Sequence, residues 1–250
     1  MEIIQSKQNA SIKTARKLLQ RKHRKTSYLI EGWHLFEEAK ASGAHILQIF
    51  VLEEMADRVA NMSKVKLVSP EVLKELCETQ TPQGIVAEVA KQSQALPEPL
   101  SGKYLLLEDV QDPYNVGTII RTADAAGFDC VVTSAKTADI YNEKVLRGSM
   151  GSVFHLPVYQ VESLLDYVQQ LKNQSITIIG TSLTGSSLWE REPLSGSFAI
   201  VMGNESKGMS HEMGECCDIL LKIPILGQAE SLNVATAAGI IMYDLVRDLK

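Results

Sequence analysis

No stretch of this 250-residue chain approaches the roughly 18 consecutive apolar residues of a membrane span. Met1 to Lys17 likewise lacks the apolar core of a secretory signal. Both absences lead us to expect a cytoplasmic protein with no membrane partner. Cysteine is scarce: Cys77, Cys130, Cys216 and Cys217 show no Cys-x-x-Cys spacing, and the adjacent pair is poorly placed to chelate one metal or close an ordinary disulfide. The histidines, His23, His34, His45, His155 and His211, form no pair at helical spacing, so no metal is expected. No Gly-x-Gly-x-x-Gly follows a strand-like run, which argues against a nicotinamide-dependent Rossmann enzyme. No internal repeat is apparent.

What is present is an ordinary globular composition with an uneven charge. Hydrophobic residues make up 45% of the chain, enough to bury one large core or two smaller ones. Net charge is −5, yet up to residue 30 eight basic residues face the single acid Glu2, so that a local +7 is offset by −12 elsewhere. The periodicity predicts a helix from Ala10 to Arg24. Lys13, Arg16, Lys17, Arg21 and Arg24 would share one face, with Ile12, Ala15, Leu18 and Leu19 as its apolar complement. That face is either a phosphate-binding surface for RNA or a solvated charged flank.

Pro97, Pro99 and Gly102 sit among polar residues without periodicity and mark a linker over 96–102, between domains 1–95 and 103–250. The first domain reads as small α/β: strands at Tyr28–Ile30, Ile46–Leu52, Val65–Val68 and Gly84–Val89, and helices at Trp33–Ala41 and from Ser69-Pro70 to Cys77. Trp33, Phe36 and Phe50 fall within apolar patterns and are expected in the core. The second domain alternates strands (104–107, 130–132, 177–180, 198–202, 219–223) with helices (116–126, 142–147, 161–171, 232–249). That alternation predicts a parallel sheet covered on both faces, with ligand sites at the C-terminal strand ends.

Three polar constellations lie at such ends. In Asp112-Pro113-Tyr114-Asn115-Val116-Gly117, Asn115 is suited to start a helix that carries Arg121, a residue suited to an RNA phosphate or to an ion pair with Asp124. Gly203-Asn204-Glu205-Ser206-Lys207-Gly208 suggests a turn close to a ligand. Ile223-Pro224-Ile225-Leu226-Gly227-Gln228-Ala229-Glu230-Ser231-Leu232-Asn233-Val234 reads as a loop with exposed backbone, with Ser231 expected as N-cap of the helix that follows.

Together these motifs resemble the SpoU (TrmH) family of RNA ribose 2′-O-methyltransferases. The match is carried by Asn115-x-Gly117-x-x-x-Arg121-x-Ala123, Gly203-Asn204-Glu205-x-x-Gly208-Met209-Ser210, and Ile223-Pro224-Ile225-x-Gly227-x-x-Glu230-Ser231-Leu232-Asn233-Val234. The first domain is more loosely similar to the ribosomal-protein-like substrate-binding domain of rRNA-modifying members, through Tyr28-Leu29-Ile30-Glu31-Gly32, Leu35 and Glu38-Ala39. The resemblance implies a trefoil-knotted α/β methyltransferase domain of the SPOUT superfamily, active as a homodimer, although knots are otherwise nearly absent from proteins. It also implies S-adenosylmethionine as cofactor, held by Thr181, Ser182, Leu183, Met202, Gly203, Ile223, Pro224, Ile225, Gly227, Ser231 and Leu232. Catalytic roles fall on Arg121, Asn115, Glu205, Ser231 and Asn233. Glu205 would orient an arginine, across a dimer interface, or cap the helix after it. The implied substrate is RNA, ribosomal ahead of transfer RNA; a silent RNA-binding module is opposed by the intact Arg121, Glu205 and Asn233.

Overall fold

The computed structural model describes residues 2–91, 96 and 101–249. Its contacts divide into two compact units, Met1–Gln94 with Tyr141–Phe154, and Ala95–Ile140 with His155–Lys250. The expected linker lies mostly outside the described residues, since 97–100 are not among them. Tyr141–Phe154, which a single cut in the chain would leave with the second domain, clusters with the first unit.

The first unit is built on a four-stranded sheet of order β1-β4-β2-β3. Its strands are β1 (Ser27–Glu31), β2 (Ile46–Leu52), β3 (Val65–Val68) and β4 (Ile85–Ala90). Strand β4 is antiparallel to both β1 and β2, whereas β2 and β3 run parallel. Alternate residues feed two cores. Tyr28, Ile30, Ile49, Val51, Ile85 and Ala87 face α2 (Trp33–Ala41) and Leu146 of α5 (Glu143–Ser149). Leu29, Phe50, Val68 and Val86 face α1 (Ala10–Lys17) and α3 (Pro70–Lys74). Phe36 and Phe50 are each 1% exposed, and Trp33 packs partly buried against the core.

Helix α1 departs from expectation. It runs only from Ala10 to Lys17, and a short 3-10 turn follows at Arg21–His23. It does not continue to Arg24: Leu18, Leu19 and Gln20 donate to carbonyls three residues back, and Gln20 turns to extended backbone. A stripe of five basic residues on one helix face therefore does not form.

The second unit carries six parallel strands in the order β10-β8-β9-β5-β6-β7. They are β5 (Lys103–Leu107), β6 (Cys130–Thr133), β7 (Val158–Gln160), β8 (Thr177–Ser187), β9 (Phe198–Met202) and β10 (Ile219–Lys222). Strands β5 and β9, central in the sheet, are near-continuous apolar runs with almost no exposure, as burial on both faces demands. One face packs α6 (Leu164–Asn173) and Met213 of α7 (His211–Cys216) against Tyr104, Leu106, Val132, Ile178, Ala199 and Val201. Helices α4 (Pro113–Ala125) and α8 (Val234–Val246) pack on each other. A side chain at Gly239 would meet Thr122 at an ordinary 3.6 Å, and Ala238 is fully buried. Of the small residues of α8, Ala235 and Ala238 are buried within the chain.

Two helix starts differ from the sequence reading. Asp112, not Asn115, caps α4: its carboxylate accepts from the Tyr114 N–H at 2.9 Å, and Pro113 takes the first helical position. Asn233, not Ser231, caps α8, accepting from Ala235 N at 2.9 Å and Thr236 N at 3.2 Å. Because the helix begins only at Val234, the N–H groups of Ala235 and Thr236 fall in its first turn without intrahelical acceptors, and the Asn233 side chain supplies one. Strand β7 and helix α7 escape the periodicity reading because one has three residues and the other a single buried apolar side chain.

Candidate active site

The parallel sheet ends in a cavity of about 760 Å³. Three chain segments shape it. The first is an excursion within β8, where pairing with β10 jumps from Leu220↔Gly180 to Leu221↔Ser186, so that Thr181 to Gly185 bow out of the ladder. Gly185 has to be glycine, since a Cβ there would lie 2.5 Å from the carbonyl oxygen of Leu220. The second is the turn after β9, which folds so tightly that a Cβ on Gly203 would approach Met209 N to 2.2 Å. The third is the exposed stretch between β10 and α8.

Of the residues expected to hold a cofactor, Thr181, Ser182, Leu183, Met202, Gly203, Ile223, Ile225, Ser231 and Leu232 line this cavity. Pro224 and Gly227 do not line it; they lie in the same loop, where proline sets the path. The sequence reading missed Leu220, Leu221 and Lys222 of β10, and Glu230, which also line it. Glu230 was within reach, because it stands inside the third motif beside Ser231. The lining combines apolar side chains, hydroxyls, the cationic Lys207 and Lys222, the anionic Glu205, Glu215 and Glu230, and turns with accessible main chain. Those features suit a nucleoside joined to a zwitterionic amino-acid tail, so the residues present fit S-adenosylmethionine.

Beside the cavity the structure joins three of the expected catalytic residues in one hydrogen-bonded chain. Asn233 Nδ2 donates to Asn115 Oδ1 at 2.9 Å, and Asn115 Nδ2 donates to Glu205 Oε1 at 3.2 Å. Glu205 also accepts the backbone N–H groups of Asp112 at 2.9 Å and Gln111 at 3.1 Å. Its carboxylate thus seals the N-terminus of α4, a helix far away in sequence, rather than the helix that follows it. Burial acts to raise its pKa, but the N–H groups of Asp112 and Gln111 and the amide of Asn115 outweigh burial and hold it below the ordinary carboxylate value. Ser231 lines the cavity but has no place in this chain of bonds.

Arg121 stands apart, exposed on α4 and not among the cavity-lining residues. The ion pair with Asp124 does not form; Asp124 instead faces His155 at 3.3 Å. Arg121 makes no salt bridge among the described residues, which leaves its guanidinium available.

The basic residues of the first unit occupy different surroundings. Lys13 and Lys17 are exposed on α1, and Arg21 is exposed in the 3-10 turn. Arg16 already pairs with Glu75 at 2.8 Å. Arg24, 7% exposed, turns inward and donates to the Tyr141 carbonyl at 2.7 Å.

Residues 102–243 match the SpoU rRNA methylase family and residues 9–87 match the MRM3-like substrate binding domain. The chain belongs to the SpoU family. With membership comes the chemistry that the motifs imply, methyl transfer from S-adenosylmethionine to RNA. Among its relatives is the 23S rRNA (guanosine(2553)-2′-O)-methyltransferase RlmP of Bacillus subtilis, 41% identical over 98% of this chain and 99% of that protein. The AdoMet-bound rRNA methyltransferase of Sinorhizobium meliloti superimposes with a TM-score of 0.88 at 30% identity, covering 100% of this chain and 98% of that one. The SpoU methyltransferase AviRb of Streptomyces viridochromogenes, in complex with AdoMet, gives a TM-score of 0.86 at 28% identity over 97% of this chain and 98% of that one. Among the described residues, no helix is long and apolar enough to cross a membrane.

Proposed function

We propose that this protein methylates a ribose 2′-hydroxyl of 23S ribosomal RNA in the cytoplasm, as a homodimer whose second unit is trefoil-knotted. The carrying observation is the Asn233–Asn115–Glu205 chain of hydrogen bonds beside a cavity suited to S-adenosylmethionine. Ribosomal rather than transfer RNA is favoured by the substrate-binding domain over residues 9–87 and by the name of the Bacillus subtilis relative, which shares both units. Support for a dimer comes from Ile240 and Tyr243, three positions apart on α8 and 38% and 52% exposed. Light scattering at micromolar concentration tests this: a monomer would count against the dimer.

Thr181, Ser182, Ile225 and Leu232 would hold the cofactor, which when bound supplies an electrophilic methyl group on a sulfonium. The remaining task is alignment, and positioning can contribute as much as ~7–11 kcal/mol in such reactions. Asn115 and Asn233 orient without titrating. Glu205 is fully engaged as an acceptor and is held in its ionised form by its donors, so it braces α4 rather than acting as a base. Arg121 carries a guanidinium that stays charged at any working pH. It would clamp an RNA phosphate and the ribose oxygen and stabilise negative charge as the proton leaves for phosphate or water.

Incubation with labelled S-adenosylmethionine and total RNA from a deletion strain, followed by mapping of the labelled ribose, tests the function. Label confined to transfer RNA would overturn the substrate, and no label would overturn the activity. Arg121→Lys should lower kcat by about tenfold or more, because lysine cannot form the two-pronged clamp. Near-full activity of the lysine variant would remove the clamp from the mechanism.

A further inference from the structure

The cavity wall formed by Gly208, Met209, Ser210 and His211 has an anchor that lies outside the cavity. After β9 the chain closes a tight turn, with Asn204 N donating to the Gly208 carbonyl at 3.0 Å and Gly208 N donating back to the Asn204 carbonyl at 2.9 Å. The incoming end of the turn is held by Asn204 Nδ2, which donates to the Asp109 carbonyl at 2.8 Å. The outgoing end is gripped by Glu108. Its carboxylate accepts the Ser210 N–H at 2.9 Å and the Ser210 hydroxyl at 2.6 Å, while Ser210 Oγ accepts from Met213 N at 3.1 Å and caps α7. Glu108 itself follows directly on β5, and its N–H donates to the Met202 carbonyl at 2.9 Å. The grip therefore starts from the end of a central, buried strand of the sheet.

Two hydrogen bonds donated by one residue to a single carboxylate fix both the position and the rotation of that residue, and bonds to a carboxylate acceptor are the strong ones. Glu108 does not line the cavity, whereas Ser210 does. The active-site chain of Asn233, Asn115 and Glu205 is tied to α4 and α8 and does not pass through Glu108. We propose that Glu108 is a positioning residue for the cofactor: through Ser210 it holds the Gly208–His211 wall in its binding shape, and so governs cofactor affinity rather than methyl transfer. The proposal rests on the assignment of the cavity to S-adenosylmethionine.

The test is calorimetric titration of the full chain with S-adenosylmethionine, together with steady-state kinetics, for wild type, Glu108→Ala, Ser210→Ala and the double variant. Glu108→Ala should raise both Kd and KM for the cofactor by about tenfold or more, leaving kcat at saturation within about twofold. The double variant should bind no worse than Glu108→Ala, within about twofold, because both substitutions break one contact. Glu108→Gln, which keeps the size and one acceptor oxygen, should give a smaller loss in the same direction and serves if the alanine variant does not fold. Wild type that fails to bind the cofactor overturns the cavity assignment and the proposal with it. Wild type that binds, with Glu108→Ala and Glu108→Gln within about twofold of it, overturns the proposal alone; so does a fall in kcat with KM unchanged.

Discussion

Tyr167, on α6, is 2% exposed, and its hydroxyl finds no hydrogen-bond partner among the described residues. Burial pushes its phenol pKa far up, with Cys130, Tyr104 and Tyr159 nearby adding to the rise. A buried donor left unmade carries a desolvation cost, so Tyr167→Phe should stabilise the protein by about 1 kcal/mol, read as a higher urea midpoint with unchanged slope. A lowered midpoint would mean that the hydroxyl has a partner in solution. Asn115 shows the opposite economy: at 8% exposure its amide both donates to Glu205 and accepts from Asn233. Its place in a motif was legible from the sequence, but its bonds were not, because Glu205 and Asn233 lie far along the chain in both cases. The same holds for Glu108, which stands outside every motif and matters only through its contact with Ser210.

At the scale of elements, α4 owes its start to a carboxylate that no local pattern reveals. Asp112 and Pro113 are cap signals readable in the sequence, and they place the helix start correctly once Asn115 is set aside. Glu205 adds acceptors for the N–H groups of Gln111 and Asp112 at the positive end of the helix dipole. Because its folded pKa is lowered from 4.5, the stability it contributes is fully present above that value and is lost as pH falls through the folded pKa. The stability gap between wild type and Glu205→Gln should therefore shrink as pH is lowered from about 7 to about 3. Denaturation curves giving a constant gap over that range would show that the carboxylate charge is immaterial to α4. Strands β2, β3 and β9 have the bounds expected from apolar runs, as does helix α2. The excursion in β8 was not foreseeable, since the jump in register depends on how close Gly185 can come to Leu220.

For the whole molecule, the uneven charge of the sequence survives folding only in part. Arg16 is neutralised by Glu75 and Arg24 is buried, whereas Lys13, Lys17 and Arg21 remain exposed around the start of the chain. Deleting the N-terminal segment would be a poor test of RNA binding, because Ile12, Ala15 and Leu18 belong to the core. Replacing Lys13, Lys17 and Arg21 together with glutamine keeps that core. It should make the slope of log affinity for RNA against log salt shallower by about 2, with one counterion's worth lost for each phosphate contact. Filter binding across a salt series would retire the basic face as an RNA surface if the slope stayed as in wild type. The two-domain order and the parallel sheet were readable from composition and alternation, but the partition of the chain was not. Leu146 and Val145, 1% and 0% exposed, join the first unit from well beyond the boundary.

That return of Tyr141–Phe154 to the first unit has a bearing on synthesis. Domains ordinarily fold in the order in which they leave the ribosome. Here the unit that is translated first lacks α5 until Phe154 has emerged, by which time β5, α4 and β6 of the other unit have already been made. The first unit therefore cannot be completed until part of the second has been synthesised.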